Sequence, residues 1–323
     1  MKILNIVTKR TSSQQSFWQV VYEWEDVFRG ELNAKYVNDR VIRLNRNVRR
    51  LFRGNLNFLT PSTPSLIFEM NPDEHSGCNK GNIIPFIIDF YIKDKRVLSD
   101  FYKSYSKNKI VIVSSKEVYE FLKKENCPLP LAHIGLSIAD KYINALDHPT
   151  QKVYDIALIG RQNPVLMEFV HRYEEEHREI IVVKKSNLDG KVVYKSSCGE
   201  ILGSLSTREE YLNVLRRTKC VLYSTPSIDT DNKHANGFNQ VTPKLLEYLS
   251  CGCNVLARYP QNADIEFYSL NEWLPNINTY QEFCDSMERA LTTPPYIQLY
   301  KDYLNKHSAS KRAVEFLNLI EKI

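Results

Sequence analysis

Short apolar runs alternate with amphipathic stretches along the whole chain, and this alternation limits the fold more than any other feature. Apolar runs bounded by turn residues are typical of buried strands, and longer amphipathic stretches are typical of helices. Strands that alternate with helices predict an α/β protein with parallel sheets. At 323 residues the chain is long enough for two such domains, each with its own core.

The pattern occurs in two series. The first predicts strands at 3–8, 65–70, 83–90 and 109–114 and helices at 17–29, 40–51, 96–106 and 116–125. After the proline- and glycine-punctuated residues 127–149, the second predicts strands at 154–159, 179–183, 192–196, 220–223 and 254–257 and helices at 164–177, 208–217, 243–250 and 280–291. We therefore predict two Rossmann-like domains facing across a cleft, residues 1–145 and 150–304. The tail is predicted to be helical, and a C-terminal helix of about 305–323 is expected to pack back on the first domain.

Two helix starts show capping-box spacing, Ser206 with Glu209 and Thr279 with Glu282.

The apolar run at the N-terminus is too short for a signal peptide, and no stretch approaches the roughly 20 apolar residues of a membrane span. We expect a cytoplasmic protein. The seven cysteines form no Cys-x-x-Cys pair, which favours buried free thiols over a zinc site or a disulfide framework.

Positive charge is concentrated in one segment. Six arginines occur there without an acidic residue, interleaved with apolar positions: Arg40, Arg43, Arg46, Arg49, Arg50 and Arg53. A basic amphipathic helix of this kind suits the surface of an anionic membrane, as a peripheral contact on the inner face of the plasma membrane. A solvated helix edge is the alternative. Nucleic acid is a third option, but the segment has almost no aromatic residues for the base stacking of single-strand binding. No nucleic-acid partner is expected.

The first predicted strand leads into Thr8-Lys9-Arg10-Thr11-Ser12-Ser13 without a glycine-rich loop or a Walker lysine. This disfavours classical dinucleotide binding and P-loop chemistry. The sequence also has no zinc-protease, nucleophile-elbow or kinase signature.

The most informative stretch begins at Thr242, a good N-cap residue that is followed by Pro243 at the first helical position. Gly252 ends the helix. Such a helix N-terminus attracts phosphate, and Lys244 adds a full positive charge. Glu247 lies on nearly the same face and could accept hydrogen bonds from ribose hydroxyls. The alternative is a surface helix in which Lys244 and Glu247 pair with each other.

The run Lys244-Leu-Leu-Glu-Tyr-Leu-Ser-Cys-Gly252 resembles the donor-site signature of GT-B glycosyltransferases, in particular the group related to bacterial polysaccharide enzymes. The resemblance implies that Glu247 holds the donor ribose and that Thr242, Pro243 and Lys244 hold the diphosphate. A second similarity is the run 154–161, which ends in Gly160-Arg161, and it implies that Arg161 contacts donor phosphates. Residues 131–137 weakly resemble the family's crossing between domains.

By this resemblance the chain is a hexosyltransferase that uses a nucleoside-diphosphate sugar, UDP-sugar above all, and a glycan or lipid-linked acceptor in surface polysaccharide assembly. It implies catalysis without a cofactor or a metal and with retention of configuration. Two positions depart from the family pattern: Asn239 stands in place of a glutamate, and Met167 in place of a lysine. Lys184 or Lys185 could supply the missing charge, and Lys184 is the donor-binding candidate together with Asn239.

On the acceptor side, Asp89 ends an apolar strand and is the catalytic candidate, either to orient an acceptor hydroxyl or as a general base. A capping aspartate is the alternative. Thr11, Ser12 and His75 are further acceptor-side candidates.

Asp229-Thr230-Asp231 matches the metal-binding motif of the other glycosyltransferase fold, although a solvated loop is the favoured interpretation. Two functions of other classes stay open. The first is a non-catalytic nucleotide-sugar binding module, because fold does not fix function. The second is a basic nucleic-acid binding protein.

Overall fold

The computed structural model describes residues 4–10, 18–40, 63–72, 78–230 and 234–322. The chain divides into two compact units. The first comprises residues 1–139 together with 307–323, and the second comprises residues 140–306. In the part of the chain that the structure describes, each unit is built on one six-stranded sheet.

The sheet of the first unit is parallel throughout, in the order β2-β1-β3-β4-β5-β6. Its strands are β1 Asn5–Thr8, β2 Lys35–Asn38, β3 Ser65–Glu69, β4 Ile83–Ile87, β5 Val111–Val113 and β6 Leu131–His133. The helices are α1 Trp18–Glu31, α2 Lys95–Tyr105 and α3 Lys116–Lys124. The four strands β1, β3, β4 and β5 are buried along their whole length, as expected for a parallel sheet covered on both faces.

The second unit has the order β10-β9-β8-β7-β11-β12, with an antiparallel extension β8-β9-β10 on an otherwise parallel sheet. Its strands are β7 Tyr154–Ala157, β8 Val182–Leu188, β9 Lys191–Ser196, β10 Ile201–Gly203, β11 Thr218–Ser224 and β12 Asn254–Arg258. Its helices are α4 Asp140–Asn144, α5 Pro164–Glu176, α6 Arg208–Arg216, α7 Pro243–Ser250, α8 Ala263–Phe267, α9 Leu270–Trp273, α10 Tyr280–Thr292 and α11 Ile297–Lys306.

The chain then returns to the first unit with α12 Ala309–Ile320. This helix packs on α1, where the rings of Phe28 and Phe316 lie 6.0 Å apart between centroids. Just before it, the amide of Ile138 donates to the carbonyl of His307 at 3.1 Å. Sequence-distant ends of the first unit are thereby joined through one core.

The predicted α/β class with two Rossmann-like domains is confirmed. The capping box of Thr279 with Glu282 is also confirmed, whereas the other box uses Thr207 and Glu210 instead of Ser206 and Glu209. The predicted strand at 179–183 lies instead at Val182–Leu188. It extends beyond the prediction because its second half pairs with β9 in an antiparallel arrangement. The predicted helix at 40–51 lies outside the described residues except for Arg40.

All seven cysteines are free thiols, and four of them are buried. None of the described helices is both long enough and apolar enough to cross a bilayer.

Candidate functional site

The order of the second sheet places its switch point at β7. The chain leaves β7 for β8 on one side of it, while β11 pairs with its other side. Loops that follow parallel strands at such a point form the usual ligand-binding edge of a doubly wound sheet. The loop after β7 contains Gly160 and Arg161, so two sequence-predicted residues lie at this edge.

Gly160 is required by geometry at this position. Its φ is +76°, and a Cβ atom here would lie 2.8 Å from Nζ of Lys244, closer than real Cβ contacts allow. Its amide donates to the hydroxyl of Tyr194 at 3.2 Å. The missing side chain therefore lets the Lys244 ammonium reach the backbone of the β7 loop.

Lys244 lies in the first turn of α7, which begins at Pro243 as predicted. Thr242 occupies the N-cap position in an extended conformation, but its side chain makes no cap hydrogen bond. Its amide instead donates to the hydroxyl of Tyr223 at 3.2 Å. The threonine hydroxyl thus does not cap α7. Pro243 has no amide hydrogen, and the Leu245 amide donates to the Thr242 carbonyl at 3.2 Å, so within the first turn it is the Lys244 amide that lies at the helix end that favours anions.

Three cations, which we call the cation cluster, lie together here: Arg161, Lys185 and Lys244. The Lys244 ammonium donates to the carbonyl of Arg161 at 3.4 Å. Burial lowers the pKa of Lys244, and the charges of Arg161 and Lys185 lower it further, although Glu247 acts in the opposite direction. Among the described residues no carboxylate forms a salt bridge with Lys244 or Arg161. The cation cluster therefore leaves positive charge unbalanced beside a helix N-terminus.

Glu247 has partners other than Lys244, so the alternative of a simple Lys244–Glu247 pair is wrong. One carboxylate oxygen accepts from Nη1 of Arg208 at 2.5 Å, and the other accepts from the hydroxyl of Tyr211 at 3.1 Å. The side chains of Arg208 and Glu247 are only 9% and 7% exposed. Both partners come from α6, which the box of Thr207 caps. No local sequence signal pairs α6 with α7, and for this reason sequence reasoning missed Arg208 and Tyr211.

Lys184 does not lie in the cation cluster. Its ammonium pairs with Glu174 on α5 at 2.9 Å. Successive residues of β8 point to opposite faces, and Lys185 is paired in register with Tyr194, whose hydroxyl contacts the Gly160 amide. Of the two lysines that the sequence offered, it is therefore Lys185 and not Lys184 that lies near Arg161 and Lys244.

Asn239 shapes the loop that follows β11. Its side-chain oxygen accepts from the hydroxyl of Thr225 at 2.8 Å and from the amide of Ser227 at 3.1 Å. These contacts tie Asn239 into the loop, and its role as a donor ligand stays a prediction.

The first carboxylate of the Asp-x-Asp motif is engaged within the protein. Asp229 accepts from Nε and Nη2 of Arg258 at 2.5 and 2.8 Å and from the side-chain amide (Nδ2) of Asn163 at 2.9 Å. The Arg258 guanidinium lowers the pKa of Asp229. Asp231 lies outside the described residues, within which no group of three potential metal ligands occurs.

In the first unit, Asp89 follows β4 by two residues instead of ending it, and its amide donates to the carbonyl of Met70 at 2.7 Å. It thus lies at the carboxyl edge of the sheet. Thr11, Ser12 and His75 lie outside the described residues, as do five of the six arginines of the basic segment.

Glu25 of α1, a buried acid that the sequence did not reveal, lies beside the last residue of β1. The hydroxyl of Thr8 donates to Glu25 at 2.6 Å, and Nε of Arg10 donates to the same oxygen at 3.3 Å. Burial raises the pKa of Glu25 to about 7, against the hydrogen bonds from Thr8 and Arg10. This carboxyl adjoins the switch point of the first sheet, where β2 and β3 flank β1.

No protein-family model matches the sequence, and no curated protein sequence matches it. Solved structures do share its architecture. Sucrose-phosphate synthase from Thermosynechococcus elongatus matches with a TM-score of 0.56 at 10% sequence identity, over 100% of this chain and 99% of that chain. The chain has the GT-B fold. A variant of TarM from S. aureus, in complex with fondaparinux, alpha-GlcNAc-glycerol and UDP, matches this protein at 10% identity with a TM-score of 0.48, over 79% of this chain and 55% of that chain.

Proposed function

We propose that this protein is a glycosyltransferase that moves a hexose from a nucleoside-diphosphate sugar, with uridine as the expected base, to a glycan or lipid-linked acceptor. The observation that carries the proposal is the cation cluster of Arg161, Lys185 and Lys244. It lies at the switch point of the second sheet, beside the N-terminus of α7. Charge of this kind, preorganised at a helix N-terminus, suits a diphosphate.

The same charge accounts for the chemistry. Departure of a nucleoside diphosphate concentrates negative charge on its phosphate oxygens, and fixed cations that meet this charge lower the barrier without reorganisation. Arg161 and Lys244 would carry this role, and Gly160 lets the Lys244 ammonium approach the β7 loop. We propose that no metal ion is needed, because these side chains supply the positive charge.

Glu247 is the proposed ribose ligand. An ionised carboxylate has about four acceptor sites, and the two hydrogen bonds from Arg208 and Tyr211 leave others for ribose hydroxyls. The two partners also fix the orientation of the carboxylate, so little conformational freedom would be lost on binding.

On the acceptor side, the carboxyl-edge position of Asp89 supports a role in orienting an acceptor hydroxyl. Thr11, Ser12 and His75 stay sequence-based predictions. Retention of configuration, which the family resemblance implies, is the expected stereochemistry. The coupling constant of the anomeric proton in the product measures it.

Calorimetric titration with UDP and with uridine tests the donor site. Arg161 is exposed, so Arg161→Met removes a phosphate-facing charge without disturbing a core. We expect about tenfold weaker UDP binding and unchanged uridine binding in this variant. Lys195→Met, an exposed lysine on β9, is the matched control and should bind both like the wild type. Equal UDP affinity in wild type and Arg161→Met, or no binding of any nucleoside diphosphate, would contradict the proposal.

Turnover separates an enzyme from a binding module. Release of UDP from a UDP-hexose in the presence of acceptor is expected from the transferase, whereas tight binding with no release under any acceptor would favour the non-catalytic alternative.

We also propose a peripheral membrane contact through residues 40–53. Replacing Arg43, Arg46 and Arg50 by Gln should weaken sedimentation with anionic vesicles and leave neutral vesicles unaffected, because each arginine near the surface adds electrostatic attraction. Unchanged binding to anionic vesicles would remove this part of the proposal.

A further inference from the structure

A cavity of about 500 Å³ lies in the second unit, away from the cation cluster. It adjoins the beginnings of β11 and β12, at Lys219 and Asn254, and the carboxyl end of α7, at 250–252. The donor-site candidates lie after the carboxyl end of β7 and at the amino end of α7. Because β7, β11 and β12 are parallel, the cavity and these candidates occupy opposite edges of the sheet.

The charged residues of the walls are all cations, and they stand among apolar and neutral polar residues. Apolar surface comes mainly from Ala145, Leu146, Pro149, Leu291, Pro294 and Ile297. The charged lining residues are Lys152, Arg216 and Lys219, and none of the lining residues, all of which the structure describes, is an aspartate or a glutamate.

Gly252 brings the apolar wall and a cation to one point. A Cβ atom on this residue would lie 3.5 Å from Ile297, 3.7 Å from Leu146 and 3.8 Å from Nζ of Lys152. Its φ of +62° also favours glycine. The cavity thus has an apolar floor with an ammonium group at its margin.

The three cations differ in how well they are neutralised. Lys219 pairs with the largely buried Asp155 at 2.7 Å, and Arg216 pairs with Glu209, whose side chain is 74% exposed, at 2.7 Å. The partner that Lys152 has is a neutral carbonyl, that of Cys251, at 2.8 Å. Within the described chain Lys152 forms no salt bridge, so its ammonium keeps N–H groups for another acceptor.

Lys152 and Arg216 both line the cavity, as does Cys251. Burial raises the pKa of the Cys251 thiol, and both cations act against that rise. An anion between them would therefore meet two positive groups.

We propose that this cavity binds an amphipathic anion, an alkyl or acyl chain that ends in one carboxylate or phosphate. The chain would lie on the apolar wall, and Lys152 with Arg216 would hold the head group. The volume falls in the usual range for small-molecule sites. The site is separate from the donor site, and the inference does not depend on the glycosyltransferase proposal.

Calorimetric titration of the full chain with four ligands of one chain length, below their micelle concentrations, tests the site. Dodecanoate and dodecyl phosphate should each bind once, and their ranking identifies the preferred head group. Dodecanol should bind about tenfold more weakly and dodecyltrimethylammonium more weakly still. Lys152→Met should reduce binding of both anions to the level of dodecanol and leave dodecanol unchanged, whereas Lys195→Met should have no effect.

Ile297→Trp, which fills the cavity, should weaken all four ligands, and Leu291→Trp is the second filling variant if the first does not fold by circular dichroism. UDP binding should be unchanged in Lys152→Met. Absence of anion binding, equal affinity for dodecanol and dodecanoate, or full affinity in both Lys152→Met and a folded filling variant would overturn the proposal.

Discussion

At the scale of single residues, the second unit holds Glu247 by a buried ion pair. Removing two charges from water is costly, and the attraction between them offsets this cost only while both are present. The Arg208–Glu247 pair is more than nine-tenths buried at both side chains. Tyr211 completes the arrangement with a neutral hydrogen bond. The pair thus specifies where the carboxylate points and makes each partner depend on the other.

Arg208→Met should lower the free energy of unfolding by about 3–5 kcal/mol, because it leaves the Glu247 carboxylate buried without its countercharge. The double variant with Glu247→Gln should recover much of this loss. Chemical denaturation measures both. Arg172→Met breaks an exposed pair with Glu176 and serves as the control, with an expected loss of about 1 kcal/mol or less. A loss in Arg208→Met no larger than in the control would show that the pair is unimportant for stability.

Glu25 predicts a pH dependence of stability in the first unit. Its pKa is raised by burial to about 7 from an ordinary value of 4.5. The folded chain therefore holds this proton more tightly than the unfolded chain. Its contribution is full below pH 4.5 and is lost as the pH rises to about 7, by about 3 kcal/mol in total.

Urea denaturation of wild type and Glu25→Gln at about pH 5 and about pH 8 measures this contribution. The wild type should lose stability relative to the variant between the two values. Glu31→Gln, on an exposed residue of the same helix, should follow the wild type. Parallel pH profiles of wild type and Glu25→Gln would show that the carboxyl titrates normally.

At the scale of elements, the β7 loop and the start of α7 are joined through Lys244, whose ammonium contacts the backbone of the loop. Gly160 has two requirements at once, a left-handed backbone and no side chain toward Lys244. Gly190, in the turn between β8 and β9, has the first requirement without the second, since its φ is +77° and nothing lies within 4 Å of its Cβ position. The two glycines therefore separate backbone strain from displacement of the ammonium.

Gly160→Ala and Gly190→Ala should each lower stability by about 1–2 kcal/mol, because both place a side chain at positive φ. Only Gly160→Ala should also weaken UDP binding, by about tenfold, since it must push the Lys244 ammonium away. Thermal melting and calorimetry separate the two effects. Equal UDP affinity in both variants would argue against Lys244 as a phosphate ligand.

Sequence patterns predicted those elements that carry strong local signals. Pro243 and Gly252 mark both ends of α7, and the apolar run before Gly160 marks β7. The strands β2, β6 and β10 were not predicted as strands. They are short and only partly buried, so they lack the continuous apolar run that marks the equally short β5. Tertiary pairing was also beyond local patterns: neither the Arg208–Glu247 pair nor the choice between Lys184 and Lys185 follows from spacing along the chain.

At the scale of the whole molecule, the GT-B fold is kept at 10% identity to a solved structure that spans nearly the whole chain. A fold can persist at this distance because it needs the alternation of apolar strands and helices more than particular residues. Activity needs particular side chains. The glycosyltransferase proposal therefore depends on the residues at the sheet edge and not on the fold alone.

The last prediction concerns the charge that balances the departing diphosphate. We propose that Arg161, Lys185 and Lys244 supply it. Transfer from UDP-hexose should then keep its rate in excess EDTA, while Arg161→Met and Lys244→Met should each lower kcat by about tenfold to a thousandfold. Lys195→Met is the control and should match the wild type. If EDTA abolishes transfer and Mn²⁺ restores it, the charge comes from a metal ion instead, and Asp229→Asn with Asp231→Asn would then be the variants that locate it.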